Sequence, residues 1–268
     1  MDIIKIKNLK FSYQQKKIFE NLNLTIKKGT ITSLIGTNGS GKTTLVKILL
    51  GLLFAEGKII IDDIKLNENN IKQIRKKISY ISEDVENYFL GITVLDNLVY
   101  NLENLCYSKQ EITKKLEYIT KIFKIEDILN KDKCFLTTSQ KQLVNIAASL
   151  IHNPKILIID EGLSLLNNDD FKCVLNALKT YQKEKQLTII LITHNPNLTL
   201  ISDAIIVLDK GQIILNDNPI NIYKNYKLLE QKGLKTPFII KLSSILQKEQ
   251  IIAKICLNQE QLVNEIWN

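Results

Sequence analysis

The stretch best equipped for chemistry is a glycine-rich loop between a strand pattern and a helix pattern. Residues 36–43, Gly-Thr-Asn-Gly-Ser-Gly-Lys-Thr, fit the spacing G-x-x-x-x-G-K-[ST] of a phosphate-binding loop. Apolar residues 31–35 precede it, and residues 44–50 continue as an unbroken helix pattern. Glycines let backbone N–H groups approach phosphate oxygens, and a helix N-terminus adds partial positive charge. The candidate phosphate-binding residues are Gly36, Thr37, Asn38, Gly39, Ser40, Gly41, Lys42, Thr43 and Thr44.

Within this loop, two side chains have predicted roles of their own. Lys42 would reach the β- and γ-phosphates of a nucleotide, and the Thr43 hydroxyl would bind Mg²⁺. The loop therefore predicts both a binding site and part of a metal site.

A pair of acids ends the next buried strand pattern. Residues 156–159 are apolar, and Asp160 and Glu161 follow them directly. A parallel strand would deliver these carboxylates to the carboxyl edge of its sheet. Asp160 is then placed to hold Mg²⁺ through water, and Glu161 to act as general base for an attacking water. Taken alone, the pattern fits a core strand that merely ends in acids equally well.

Two single residues complete the candidate site. His194 ends the apolar strand pattern 187–193, one helix length after the acids, where it can face a γ-phosphate. A histidine satisfied at a strand edge is the ordinary alternative. Tyr13, upstream of the loop, could stack on a purine, a contact worth about 1–3 kcal/mol per base. A tyrosine that packs on the sheet is the alternative.

The elements that must position these residues alternate between strands and helices. Strands are predicted at residues 3–7, 22–26, 31–35, 58–62, 78–81, 155–159 and 187–193, with two short strands within 204–214. Apolar residues at three- to four-residue spacing predict helix from residue 93 to about 129, with an irregular segment at 83–91 before it. The pattern indicates a helical subdomain inserted in an α/β frame.

Charge and length limit the possible partners. The net charge of +8 over 268 residues is carried almost wholly by lysine, with Arg75 as the only arginine. Because phosphate and base contacts normally use arginine, nucleic-acid binding is not expected. No apolar run approaches the roughly 20 residues that span a bilayer, and the N-terminus lacks a signal-peptide layout.

With these residues in place, positions 1–225 resemble the nucleotide-binding subunit of an ABC transporter. The resemblance implies a RecA-like P-loop core with an antiparallel β-subdomain and a helical subdomain at about 93–150. It implies ATP and Mg²⁺, with Tyr13 on adenine and with Lys42, Glu161 and His194 as catalytic residues. Members of the family work as head-to-tail dimers, in which each ATP also meets the signature motif of the other subunit.

A narrower resemblance, to energy-coupling factor (ECF) transporter ATPases and closest to their first A subunit, extends to the C-terminus. It is carried by the segments 233–238, 261–267, 75–78 and 87–94. It implies that residues 226–268 form a small C-terminal dimerisation segment. It also implies a peripheral protein at the cytoplasmic face of the membrane, with a transmembrane T subunit and a substrate-binding S subunit, in uptake of vitamins or metal ions. In that interpretation, segment 84–91 transmits motion to the membrane subunit, and Tyr88, Phe89 and Leu90 are exposed contacts.

The chain departs from the family at the signature. Where the family has Leu-Ser-Gly-Gly-Gln, residues 136–140 read Leu-Thr-Thr-Ser-Gln. Thr137, Ser139 and Gln140 would still contact the nucleotide of the opposite site. Both glycines are missing, however, so the helix start cannot approach a γ-phosphate without a Cβ in the way.

Other departures concern the metal and the loops around the acids. Glu83 occupies the position of the Q-loop glutamine, where a carboxylate can bind Mg²⁺ but adds negative charge. Gly162 replaces the proline usual after the catalytic glutamate, and Asn167 replaces the D-loop aspartate.

The asymmetry predicts a heterodimer with a second ABC ATPase that supplies a sound signature. Three other interpretations stay open: a structural subunit that binds ATP with little hydrolysis, an ATPase of another ABC transporter class, and an ABC protein acting on ribosomes or DNA. The last usually has two ATPase modules or a long coiled-coil insertion, and neither is present in this sequence.

Overall fold

A computed structural model describes residues 1–267 of the chain. The strands, in chain order, are β1 (Asp2–Tyr13), β2 (Lys16–Lys27), β3 (Ile31–Gly36), β4 (Glu56–Ile61), β5 (Ile64–Lys65), β6 (Ile78–Ser82), β7 (Ile156–Asp160), β8 (Thr188–Ile192), β9 (Ala204–Asp209) and β10 (Gln212–Asp217). The helices are α1 (Lys42–Leu49), α2 (Ile71–Arg75), α3 (Val85–Tyr88), α4 (Val94–Asn104), α5 (Lys109–Phe123), α6 (Thr138–Leu150), α7 (Asn168–Lys185), α8 (Pro219–Lys224), α9 (Tyr226–Gln231), α10 (Phe238–Lys248) and α11 (Gln259–Trp267).

The strands form two sheets. One is antiparallel, in the order β2-β1-β4-β5, and the other has the order β10-β9-β3-β8-β7-β6. Strands β9, β3, β8, β7 and β6 are parallel, and β10 pairs antiparallel with β9. Parallel strands share one carboxyl edge, so the segments after β3, β6, β7 and β8 meet there. This confirms the predicted α/β core with its antiparallel β-subdomain.

The parallel sheet lies between two apolar cores because its central strands are apolar on both faces. Alternate residues of β7 show this: Ile156 and Ile158 pack with α1 and the antiparallel sheet, whereas Leu157 and Ile159 pack with α4, α6 and α7. The long apolar runs of the sequence are thus explained by burial on both sides.

Three helices of the segment 93–150 begin with the same local device. In α4, α5 and α6 the hydroxyl of an N-cap threonine or serine accepts the backbone N–H three residues on, and the side-chain oxygen of that third residue accepts the backbone N–H of the N-cap residue. The predicted continuous helical pattern is in fact two helices, because the chain turns at Cys106, whose φ is 58°. Boundaries of the helical subdomain itself stay a prediction.

Two local predictions are wrong. The segment predicted to be irregular contains the short helix α3, in which Asp84 caps the N-terminus by accepting a bond from the Asn87 N–H. Phe89 was expected to be an exposed contact, but it is buried, at 2% exposure, against the core of α4 and α6. Leu90 is exposed as expected, at 58%.

The C-terminal helices add a smaller core. Tyr223, Leu229 and Ile240 pack on the β3–β9 face of the sheet, and a separate small cluster joins α10 to α11. Phe238 and Ile245 of α10 point away from both clusters and are exposed. Within residues 1–267, no helix combines the length and apolar character needed to cross a bilayer.

Candidate functional site

A cleft of about 830 Å³ opens at the carboxyl edge of the parallel sheet. Four chain segments converge on it: the glycine loop after β3, the end of β6, the acids after β7 and the histidine after β8. The β1–β2 hairpin adds one wall. The predicted site residues that line the cleft are Tyr13, Asn38, Gly39, Gly41, Lys42, Thr43, Thr44, Glu83, Asp160, Glu161 and His194.

The glycine loop leaves its polar groups available. Gly41, with φ 109°, precedes α1, and no side chain caps the first turn of that helix. A Cβ at Gly41 would lie 2.9 Å from the Phe19 ring, so only glycine fits there. The buried Ser40 Oγ has no hydrogen-bond partner among the described residues. Open N–H groups and an unpaired hydroxyl fit an anionic ligand such as a phosphate chain.

Lys42 lies beneath this loop. Its ammonium donates to the backbone carbonyls of Gly36 at 2.7 Å and Thr37 at 3.1 Å. Burial lowers the pKa of Lys42, and the nearby carboxylates of Asp160 and Glu161 partly offset that effect. The cation is thus held by groups that a phosphate can displace, since carbonyls are weaker partners than anions.

Asp160 ends β7 in a half-buried position. Burial is the main cause that raises its pKa, and the carboxylates of Glu161 and Glu83 raise it further. The Tyr80 hydroxyl, which donates to Asp160 Oδ2 at 3.3 Å, and Lys42 act in the opposite direction. A divalent cation beside Asp160 would favour the ionised form of its carboxylate.

Glu161 adopts a left-handed backbone, with φ 58°, which costs a non-glycine residue about 1 kcal/mol. Its carboxylate is oriented by the following strand. Oε1 accepts the His194 backbone N–H at 2.6 Å, and Oε2 accepts the Thr193 hydroxyl at 3.2 Å. The strained turn aims the carboxylate into the cleft, where a general base would be needed.

The His194 ring is more than half exposed, and its Nε2 lies 3.9 Å from Glu161 Oε1. That distance is too long for a direct hydrogen bond. The imidazole is therefore free to meet a ligand in the cleft.

The predicted metal ligands Thr43, Glu83 and Asp160 all face the cleft. Residues 1–267 contain no cluster of three or more histidine, cysteine or acidic side chains that would hold an ion by itself. The donor set fits Mg²⁺, which prefers oxygen ligands and usually takes the rest from phosphates and water.

Tyr13 stands at the tip of the β1–β2 hairpin and is 42% exposed, and its ring packs nearly perpendicular to that of Phe11, with the ring centroids 4.9 Å apart. Lys16 lies beside it in the cleft wall. This leaves part of the tyrosine ring accessible for a flat base.

The signature-like residues are not in this cleft. Thr137 Oγ1 accepts the Gln140 N–H at 3.2 Å, and the Gln140 side chain accepts the Thr137 N–H at 3.0 Å. Ser139 is buried; its hydroxyl donates to Asp170 Oδ2 and accepts the Asn167 N–H at 2.9 Å. All three predicted nucleotide contacts thus have partners within the chain.

Sequence reasoning missed three residues that hold the site. Tyr80 bonds Asp160, Thr193 bonds Glu161, and Gln142 of α6 reaches the loop after Glu161. The sequence position of Thr193 could have indicated its role, because it directly precedes His194 at the carboxyl edge of the sheet. Tyr80 and Gln142 act across elements, and no local pattern indicates their partners.

Comparison with known proteins gives consistent matches. The family described as ABC transporter matches residues 19–164. The energy-coupling factor transporter ATP-binding protein EcfA1 of Leuconostoc mesenteroides is 36% identical over 238 residues, which cover 88% of each chain. Its counterpart EcfA of Aster yellows witches'-broom phytoplasma is 38% identical over 268 residues, covering 99% of this chain and 98% of that protein.

Solved structures agree with the fold. cbiO1 from Clostridium perfringens, described as part of the ABC transporter complex cbiONQ, superposes with a TM-score of 0.78 at 28% identity, covering 87% of this chain and 95% of that one. An ATP-binding cassette solved as a post-hydrolysis dimer with ADP and Pi has a TM-score of 0.70 at 28% identity, covering 81% and 98% of the two chains.

Proposed function

The chain belongs to the ABC transporter family and, within it, to the ATP-binding proteins of energy-coupling factor transporters, and from that premise we propose that it forms one half of an asymmetric ATPase heterodimer. Membership makes it a transport ATPase. The proposal adds that its own cleft carries the turnover, while its signature segment serves a second, slow site.

The observation that carries the proposal is the contrast between available and occupied polar groups. In the cleft, the N-terminus of α1 is uncapped and Ser40 Oγ is unpaired within residues 1–267. At the signature, Thr137, Ser139 and Gln140 bond to their own chain. A phosphate meets an uncapped helix start in the first place and, in the second, a helix start whose capping side chains already bond to the protein.

ATP binding follows from the loop and the hairpin. The triphosphate takes the N–H groups of the glycine loop and the α1 N-terminus, and Lys42 leaves the Gly36 and Thr37 carbonyls for phosphate oxygens. The adenine stacks on the exposed part of the Tyr13 ring.

Hydrolysis needs a positioned base. Glu161 accepts the proton of the attacking water, with its carboxylate already fixed by Thr193 and the His194 N–H. The His194 ring donates to the γ-phosphate. Thr43, Asp160 and Glu83 would hold a Mg²⁺ ion, and such an ion would neutralise charge at the phosphates.

Membrane partners dock beside the cleft in this proposal. A groove of about 430 Å³ runs between β6 and the helices α4 and α6. Tyr88 and Leu90, from the segment that follows Glu83, line it together with Tyr100 of α4. A helix of the transmembrane T subunit seated here would sense motion of the Glu83 segment, at the cytoplasmic face of the membrane. Selectivity for a vitamin or metal ion would lie in the S subunit.

The C-terminal segment, residues 226–268, is assigned to the contact between the two ATPases. Phe238 and Ile245 leave an apolar stripe of α10 exposed, and Val263 and Trp267 do the same on α11. Leu242 pairs instead with the cluster between these helices, and so stabilises the segment itself.

The test is Glu161→Gln in the assembled ATPase pair. General-base loss typically costs 10²–10⁴-fold, and we expect turnover of the complex to fall by about that factor while ATP still binds. If most turnover remains, the working site is not this cleft. Tight ATP binding without measurable turnover in the unmodified complex would favour the structural-subunit alternative.

A further inference from the structure

One buried amide connects three functional segments of the site. Gln142 lies on α6, two residues after the signature-like stretch, and its side chain is fully buried. Its Nε2 donates to the Ser82 carbonyl at 3.1 Å and to the Gly162 carbonyl at 3.0 Å. Two carbonyl acceptors fix which end of the amide faces them.

Both acceptors adjoin predicted catalytic or metal-binding residues. Ser82 ends β6 directly before Glu83, and Gly162 directly follows Glu161. The amide therefore bridges the backbone that carries the two acids, and it does so from the signature helix. One side chain of α6 thus bonds to the backbone beside both acids.

Gly162 has no side chain where the Gln142 amide lies. A Cβ at Gly162 would lie 2.6 Å from Gln142 Nε2, and 3.0 Å from a methyl group of Ile81. Such a distance to Nε2 is below van der Waals contact. Glycine at 162, where the family usually has proline, thus leaves this space to the Gln142 amide.

The loop after Glu161 needs an external anchor. Glu161 has a left-handed backbone, and the turn that follows is closed by a bond from the Ser164 N–H to the Glu161 carbonyl. The Glu161 carboxylate accepts a bond from the Thr193 hydroxyl. On the other side of the turn, Gln142 donates to the carbonyl of the next residue, Gly162, and so holds the backbone. Strained conformations persist only when surrounding bonds over-determine them.

We propose that Gln142 is a positioning residue for the ATPase reaction, holding Glu161 and Glu83 in the hydrolytic geometry and relaying the position of the signature helix to them. The inference rests on the proposed role of Glu161. Gln142 Oε1 is buried and has no partner among the described residues, so the Gln142 side chain serves here as a donor.

The first test is Gln142→Met, a variant of similar length without the donors. Loss of groups that orient a catalytic residue typically costs about 10–100-fold in activity, and we expect kcat of the assembled ATPase pair to fall by that factor. Since no Gln142 atom lines the nucleotide cleft, KM for ATP should change by less than about twofold. A merely structural role would lower the melting temperature without this split.

Gln182→Met is the matched control. Gln182 on α7 also donates from Nε2 to a backbone carbonyl, that of Gly29 at 2.8 Å, but it lies outside the cleft. Gln182→Met should lower the melting temperature of the protein, while kcat stays within about twofold of the unmodified value. If Gln142→Met and Gln182→Met have equal kcat, the proposal is overturned.

Gly162→Ala tests the same contact from the other side and guards against misfolding of the first variant. The added Cβ displaces the amide, so kcat should fall about as far as with Gln142→Met, with KM retained. The double variant should lose little more than either single change, because both break one contact. Additive losses would contradict the shared mechanism.

Failure of the inference can be separated from failure of the proposed function by Glu161→Gln in the same complex. If Glu161→Gln abolishes turnover but Gln142→Met retains kcat, only the positioning role is wrong. If Glu161→Gln retains turnover, the general base lies elsewhere and a kcat loss in Gln142→Met would have another cause.

Discussion

The N-termini of α1 and α6 differ in whether a side chain caps them. At α1, Gly41 occupies the N-cap without a side-chain bond, and the first turn opens into the nucleotide cleft. At α6, Thr137 and Gln140 form a complete capping box, and Ser139 bonds to Asp170. Each helix start has the same orphan N–H groups. The difference is that one helix start has no side-chain partner, while the other is capped by the protein's own side chains.

Of the variants that test this difference between α1 and α6, Lys42→Ala should have the largest effect. Loss of a charge-assisted hydrogen bond costs about 1.5–3 kcal/mol, so the ATP affinity of the purified chain should fall roughly 10–100-fold. Titration with a fluorescent ATP analogue measures this. Lys47→Ala removes an exposed cation at the other end of α1 and should leave affinity unchanged. Equal losses would mean that general charge, not the site, governs binding.

Thr137→Ala addresses the closed helix end. Removal of an N-cap costs about 1 kcal/mol, which corresponds to a melting temperature lower by roughly 2–4 °C for a chain of this size. ATP affinity of the isolated chain should not change, because Thr137 lies outside the cleft. Thr93→Ala removes the equivalent cap of α4 and should behave alike. If Thr137→Ala weakened ATP binding and Thr93→Ala did not, the capped start of α6 would contribute to ATP binding, contrary to this account.

Restoring the two glycines, with Thr138→Gly and Ser139→Gly together, tests whether the closed end limits turnover. Opening the helix start should let the second site of the proposed heterodimer work, so its steady-state turnover should rise by up to about twofold. Stability should fall, because Ser139 loses its bonds to Asp170 and Asn167. Ser139→Ala, which keeps a Cβ, should destabilise without any gain. An unchanged rate in the glycine variant would show that other departures make the site slow.

The smallest effect expected is a pH dependence from Asp160. Burial raises its pKa, so it gains a proton at a higher pH than an exposed aspartate. As pH falls toward that range, Mg²⁺-dependent ATP affinity should decrease, because the protonated acid no longer attracts the cation. With EDTA in place of Mg²⁺ the trend should reverse, since repulsion of the triphosphate is lost. Asp160→Asn should remove both trends.

Sequence patterns predicted the cleft better than they predicted the contacts behind it. The glycine loop, the acids after β7 and His194 each follow a strand of a parallel sheet, so topology alone brings them together. Phe89 was misplaced because its burial depends on a core that includes α6, which begins only at Thr138. The Gln142–Gly162 contact depends on one missing Cβ, which spacing cannot reveal.

The signature shows the same limit in another form. Loss of its glycines is visible in the sequence, and the bond from Ser139 to Asp170 is not. The sequence therefore indicated that the helix start cannot come close to a γ-phosphate. Only the structure shows that the replacing side chains tie α6 to the start of α7.

ATP hydrolysis by this chain alone, and then in an equimolar mixture with the second ABC ATPase of the same genome, tests the central claim most directly. The account predicts little turnover alone, because two copies would pair an open cleft with a closed signature. It predicts turnover in the mixture that Glu161→Gln in this chain abolishes. Comparable turnover by the chain alone would contradict it, since residues 136–140 would then complete a working site despite their missing glycines.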